Sequence, residues 1–319
     1  MSCPACLSPK VDLLERVSVQ ELAASWARAG VHASGTTPDA IHDYVREDLG
    51  ADDVSMLSCH ECGMEFADPR KTWRPDHYPD EAHGLGWDHD QALTALSTLP
   101  RGALLDVGCA DGQFLEKAAA LGYRVTGMDF SSEDVDAARR RGVDAFVGDL
   151  SREGHLAFGN RRFDIITMFQ VIEHLEELEA VFAQLARLAT PDATLMIGCP
   201  SPLRYTRAWA HTDRIGHSDY WDYPPQHSLR WSAQALRAFL TRQGWSVSSI
   251  AHEPLEWIGA AAHLTALSGG RSTWYASPVR RRMHTLGWLT RIAWRQARTP
   301  ATGIRLFACA TRNEVNPIS

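Results

Sequence analysis

Residues 104–115, Leu-Leu-Asp-Val-Gly-Cys-Ala-Asp-Gly-Gln-Phe-Leu, constrain the fold more than any other stretch of the chain. Two apolar residues lead into Asp106, Gly108 and Gly112 follow closely, and apolar periodicity resumes at Phe114. That pattern is a buried strand turning sharply into a helix, the place where an open α/β sheet takes its ligand. A dinucleotide fingerprint would read G-x-G-x-x-G. Here the small residues are Gly108, Ala110 and Gly112, and Gln113 stands where the last glycine of that fingerprint would fall. The register is wrong for NAD.

Four more strands follow in order. Tyr123 to Met128 reads as a second strand ending on Asp129, a carboxylate that can accept from both hydroxyls of a ribose diol, with Phe130 beside it. Val143 to Val147 reads as a third, closed by Gly148-Asp149-Leu150. Phe163 to Phe169 is almost wholly apolar, as expected of a strand buried on both faces, and leads into Gln170-Val171-Ile172-Glu173-His174-Leu175. Thr194 to Gly198, after Pro191-Asp192, is the fifth.

Over residues 99–200 this series resembles class I S-adenosylmethionine (SAM) dependent methyltransferases. The resemblance implies an α/β fold with a Rossmann-like seven-stranded sheet and SAM as cofactor. It places Asp106, Gly108, Cys109, Ala110 and Gly112 in the loop around the methionine end and Asp129 on the ribose. It puts Phe130, Asp149 and Leu150 around the adenine, and Gln170 at the opening of the motif on the methyl-transfer face. In that family the final strand is antiparallel to the rest. Trp245 to Ile250 and Ile304 to Thr311 would then be the last two strands, joined by a hairpin expanded into an insert, 254–302.

A second signal lies at the other end of the chain. Cys3-Pro-Ala-Cys6 and Cys59-His-Glu-Cys62-Gly63 are two C-x-x-C knuckles, and four thiolates suit the tetrahedral, soft-ligand preference of Zn²⁺. The stretch between the pairs exceeds the usual ribbon spacing of roughly 15–20 residues, so it must carry structure of its own. Val19 to Ala29 and Pro38 to Leu49 read as helices, the second with Thr37 as N-cap, Pro38 at its first position and Gly50 at its stop. Disulfides are the alternative. The chain shows no signal sequence, so a reducing cytoplasm is expected, where disulfides are rare. Cys109, Cys199 and Cys309 read as small buried hydrophobes.

Residues 1–70 are thus read as a zinc-binding module, 71–98 as a connector ending in a helix from Asp88 to Leu96, and 99–319 as the methyltransferase domain. Charge is uneven. The net −7 of the chain is matched by the module alone, with 5 basic and 12 acidic side chains, whereas Trp257 to Asn313 holds nine arginines and no acid. A module that reads nucleic acid should be basic, which disfavours an RNA methyltransferase. A non-catalytic SAM-binding scaffold is a third reading, opposed by the intact series Asp106, Asp129, Asp149. The insert, alternating arginine and apolar residues at roughly helical spacing, is expected to dock within the protein, where the acidic module is a ready counter-charge. A lid on the sheet, a dimer or zinc-module contact and attachment to an anionic surface such as RNA or membrane are the readings its pattern leaves open. A small-molecule acceptor and a homodimer are the partners the chain is read to suit, with no stable membrane insertion.

Residues 201–228 read as a substrate loop, too aromatic and too dense in histidine for a linker. Its end, Pro-Gln-His before Trp231-Ser232 and a helix from Ser232 to Gln243, resembles zinc-ribbon methyltransferases of sugar and natural-product pathways. In the deoxysugar C-methyltransferases of that group a Tyr/His/Glu/His cluster supplies the base. His227 matches its last histidine and Tyr223 approximates its tyrosine, while Pro225 and Gln226 replace the other two. A histidine near neutral pKa suits deprotonation of a nucleophile, and His227 stands first as base, His174 second. His211, Asp213, His217 and Asp219 offer nitrogen and oxygen ligands, but at a spacing that fits no recognisable metal pattern.

Overall fold

The computed structural model describes residues 1–29, 36–79, 84–152, 157–209, 220–269, 278–297 and 300–313. The amino-terminal part runs β1 (Val11–Ser18), α1 (Val19–Ala29), α2 (Pro38–Leu49), β2 (Asp53–Cys59) and β3 (Glu65–Asp68). Both helices have the extents expected. Thr37 Oγ1 accepts from Ala40 N at 3.2 Å, and Gly50 closes α2 with a left-handed φ of 59°. Leu22 and Trp26 of α1 pack with Ile41, Val45 and Leu49 of α2, and Trp73 meets Trp26 edge-on at 5.2 Å.

The rest of the chain follows with α3 (Trp87–Thr98), β4 (Ala103–Val107), α4 (Gln113–Ala120), β5 (Arg124–Asp129), α5 (Ser132–Arg140) and β6 (Asp144–Val147). Next come β7 (Phe163–Phe169), α6 (Leu178–Leu188), β8 (Ala189–Pro200), α7 (Tyr205–Trp209), β9 (Leu229–Arg230) and α8 (Ala233–Arg242). The chain ends with β10 (Trp245–His252), α9 (Trp257–Gly269), α10 (Pro278–Gln296) and β11 (Arg305–Arg312).

Seven strands form one sheet in the order β10-β11-β8-β7-β4-β5-β6. The inner pairs are parallel, and β11 runs antiparallel between β8 and β10, as the resemblance implied. Strand order reverses between β4 and β7, so the loops after Val107 and Phe169 flank the topological switch point, where open α/β sheets bind ligands. β8 begins earlier than Thr194. Ala189 pairs with Phe163, and Pro191 falls where the register breaks, so its missing N–H removes no ladder bond.

A second sheet has the order β1-β2-β3-β9. Its last strand comes from residues 229 and 230, which pair with Phe66 and Glu65 and cover the edge of β3. Residues 1–70 therefore share their sheet with the two residues that follow the 201–228 connection. Cys3, Cys59, Cys62 and Met64 join the same apolar core as Trp231 and Phe239.

The described part of the insert packs within the protein. Its helices α9 and α10 pack on each other through Ala260, Ala261, Leu264, Trp288 and Ile292, with Tyr205 and Ala301. Among the described residues no side chain of 1–70 belongs to that cluster. The module's Glu65 takes Arg207 and Arg230 as counter-charges instead, at 2.6 and 3.0 Å. Arg230 reaches Glu65 across the β3–β9 pair, and Arg207 reaches it from α7.

Candidate active site and metal centre

The loop after β4 is built by three left-handed residues, Gly108 (φ 78°), Ala110 (φ 46°) and Gly112 (φ 80°). Gly108 N and Cys109 N both donate to Met128 O, at 2.8 and 3.1 Å, which ties the loop to β5. A Cβ on Gly108 would run into Val171 Cγ2, so this position combines a left-handed conformation with a contact that favours glycine. Asp129 at the tip of β5 accepts from Ala110 N and Ser131 N, each at 2.9 Å, one on each carboxylate oxygen. Each oxygen has capacity for a further donor.

Asp106 is buried, and Thr167 Oγ1 donates to its Oδ1 at 2.6 Å, linking β4 to β7 at the switch point. Burial pushes its carboxyl well above the usual range, and the Asp129 charge adds to that. Cys109 is also buried, its sulfur against Gly127, and burial with the nearby Asp106 and Asp129 raises its thiol. Phe130 is exposed beside Asp129, whereas Leu150 is packed in the core. Asp149 turns both oxygens to Ser151, at 2.8 Å from N and 2.7 Å from Oγ.

Gln170 adopts φ 55° and donates from Nε2 to Asp88 Oδ2 at 2.8 Å. The fully buried Asp88, in the first turn of α3, also pairs with Arg305 Nε at 3.2 Å. The His89 ring lies 4.3 Å from Phe169. Asp88, His89 and Arg305 thus pin α3 over the ends of β7 and β11. The sequence signal for them was slight, no more than a helix opening with Trp-Asp-His-Asp. The glycine-lined turn, the anchored Asp129 and the exposed ring of Phe130 suit the sulfonium, diol and purine of SAM.

On the other side of the switch point, Ile172–His174 forms a 3₁₀ turn that presents His174. Its Nδ1 lies 2.6 Å from Gln226 O. A carbonyl only accepts, so Nδ1 carries the proton and Nε2 the lone pair. Burial holds His174 well below its usual pKa, and the neighbouring His227 lowers it further, so the ring is neutral. His227 meets it edge-on with centroids 4.7 Å apart. Tyr78, from the connector, lies 5.2 Å from the ring of Phe130 and 6.0 Å from that of His174. It joins the two halves of the site, and nothing in its sequence context marked it.

His227 is buried and also neutral, since burial lowers its pKa against the pull of Asp222. Its Nδ1 is 3.7 Å from Asp222 Oδ1, beyond a good hydrogen bond. Asp222 is clamped by two buried guanidinium groups, Arg204 Nη2 at 2.7 Å and Arg230 Nε at 2.9 Å. Burial alone would raise its carboxyl, but these two cations hold it far below the usual range. Tyr223 donates to Glu15 Oε1 at 2.7 Å and lies under Arg230. Glu173 is buried, with Oε1 4.0 Å from His174 Nε2. His211, Asp213, His217 and Asp219 lie outside the described residues.

The four cysteines converge. Cys3 and Cys62 sulfurs are 3.6 Å apart, as are those of Cys6 and Cys59, and all four lie within 4.8 Å of one another. Thiolates about 2.3 Å from a tetrahedral zinc are separated by about 3.8 Å, so this donor set fits the ion. Burial pushes the Cys3 thiol up to about 11 and Cys62 further, which a divalent cation would reverse. The knuckles share one geometry. The fourth residue after the first cysteine is left-handed in each, Leu7 (φ 63°) and Gly63 (φ 67°), and its N–H returns to that cysteine's carbonyl at 2.9 Å. Arg242 of α8 clasps the first knuckle, donating to Pro4 O and Ala5 O at 2.9 and 3.2 Å.

Residues 87–250, just over half of the chain, match the family model described as a methyltransferase domain. The chain is 26% identical over 221 residues to a ubiquinone biosynthesis O-methyltransferase of Caulobacter sp. (strain K31), covering 64% of this chain and 85% of the relative. A protein of the same description from Serratia proteamaculans (strain 568) is 29% identical over 110 residues, 33% of this chain and 45% of the relative. Among solved structures, a SAM dependent methyltransferase from Archaeoglobus fulgidus aligns with a TM-score of 0.47 at 17% identity, covering 70% of this chain and 94% of that one. The family match coincides with the strands and loops that build the site. The chain belongs to the methyltransferase domain family and is a SAM-dependent methyltransferase.

Proposed function

We propose that this enzyme methylates a hydroxyl oxygen of a small-molecule acceptor, with His174 as general base and a structural zinc on Cys3, Cys6, Cys59 and Cys62. Bound SAM supplies an electrophilic methyl group whose leaving sulfide needs no acid. The protein's part is to align the acceptor, exclude water and take one proton. Neutral His174 is suited to the last of these, because Gln226 O fixes the proton on Nδ1 and leaves Nε2 as the acceptor. His227 packs against it and keeps a second uncharged ring at the site.

The observation that carries this reading is the position of Tyr78 between Phe130, next to the ribose-binding carboxylate, and His174. Oxygen as the methylated atom is supported by the relatives, described as O-methyltransferases of ubiquinone biosynthesis. The Pro-Gln-His stretch supports a sugar, glycan or natural-product intermediate. A site closed by four thiolates has no open position for chemistry, hence the structural role of the metal.

The test is turnover on phenols, nucleotide sugars and RNA pools with labelled SAM, comparing wild type with His174→Gln. Loss of a base costs ~10²-fold or more in kcat with SAM affinity retained. Normal turnover by His174→Gln moves the proton to His227, and methylation of RNA alone rejects the small-molecule reading.

A further inference from the structure

The insert of helices α9 and α10 lies outside the family match, and neither the cofactor loop nor the His174 turn draws on it. A helix that serves only internal packing needs one apolar stripe. α10 has two. Trp288 and Ile292 face α9 and are buried, with Leu289 partly so. On another face Leu286, Thr290, Ala293, Trp294 and Ala297, spaced as successive helical turns, are all exposed, Leu286 at 62% and Trp294 at 59%. At the start of α9, Trp257 and Ile258 are exposed at 44% and 68%.

These apolar side chains sit in the most cationic part of an acidic protein, with nine arginines and no acid from Trp257 to Asn313. The guanidinium groups of Arg291 and Arg295 lie over the Trp288 ring, 5.3 and 6.0 Å from its centroid. Exposed tryptophan and aliphatic side chains, with arginines on the adjoining flank toward Trp288, are what an interfacial helix presents to lipid headgroups and the outer acyl chains. We propose that the α9–α10 insert docks the enzyme reversibly on an anionic lipid bilayer.

Two other occupants fit less well. Single-stranded RNA pairs with aromatic faces and cations, but Ile258 and Leu286 offer no ring for a base to stack on. A symmetric dimer through this face would set arginine-rich surfaces against each other. Docking is peripheral, since no helix among the described residues is long and apolar enough to cross a membrane.

Co-sedimentation of the full chain with vesicles tests this directly. Binding is expected to mixed phosphatidylcholine/phosphatidylglycerol vesicles and not to phosphatidylcholine alone, weakening as salt approaches ~0.15 M and the screening length falls to ~8 Å. The triple variant Ile258→Ser/Leu286→Ser/Trp294→Ser removes apolar area from the contact and should bind at least about tenfold more weakly. Its SAM affinity should equal that of wild type, which shows the fold intact. The proposal is overturned if wild type ignores the mixed vesicles at low salt, or if the triple variant binds them equally well. It is also overturned if the triple variant's main effect is to turn a dimer into a monomer, or to abolish tight RNA binding.

Discussion

Asp222→Asn tests the buried charge cluster that supports His227. Asparagine keeps the shape and one acceptor oxygen but removes the charge between Arg204 Nη2 and Arg230 Nε, at 2.7 and 2.9 Å. All three groups are buried, so solvent does not replace the lost partner. Glu65 remains 3.0 Å from Arg230 and the Ser201 carbonyl 3.1 Å from Arg204. Breaking a buried pair by removing one partner costs about 3–5 kcal/mol, and that is the loss expected in urea unfolding. The pH dependence has a definite sign. The folded carboxyl is held far below its unfolded value, so its contribution is complete above about 4. It is lost as pH falls from there toward the folded value. The gap between wild type and variant should therefore be level from neutral pH down to about 4.5 and narrow below it. Adding Arg204→Met to Asp222→Asn should recover part of the loss, because one uncompensated cation goes. A cost under about 1 kcal/mol, as for an exposed pair, would refute the cluster as described.

Other outcomes follow from the same geometry. Cys59→Ser should abolish binding of one zinc per chain, measured by metal analysis, and lower the unfolding midpoint of the whole protein rather than of residues 1–70 alone. The reason is that Cys3, Cys59 and Cys62 share a core with Trp231 and Phe239. His174 and His227 both have folded pKa values lowered by burial, so wild-type stability should fall as pH drops through about 6.5, where the unfolded histidines take up protons. His174→Gln should flatten that fall in pH-dependent denaturation curves, and an unchanged slope would place the titration elsewhere.

The parts of this molecule legible in sequence are those set by local chemistry. The strand, left-handed turn and helix at 103–120, the Thr37 cap, the Gly50 stop and the two cysteine knuckles each declare themselves within a few residues. Contacts between distant segments do not. Arg230 and Glu65 are separated by 165 positions, and no spacing rule makes residues 229 and 230 the fourth strand of an amino-terminal sheet. Tyr78 stands in a connector with no periodicity, and its role emerges only when Phe130 and His174 are brought to either side of it. Net charge shows less still: that Glu65 of the acidic segment pairs with Arg207 and Arg230 could not be read from the balance of charges.

The central claim is that the loop after β4 and the carboxylate of Asp129 hold SAM. Titration calorimetry of wild type and Asp129→Ala measures it directly. Each hydrogen bond to a charged acceptor is worth ~1.5–3 kcal/mol, so the variant should bind SAM at least about tenfold more weakly. Equal affinity in the two proteins, or no SAM binding by wild type, would contradict the account.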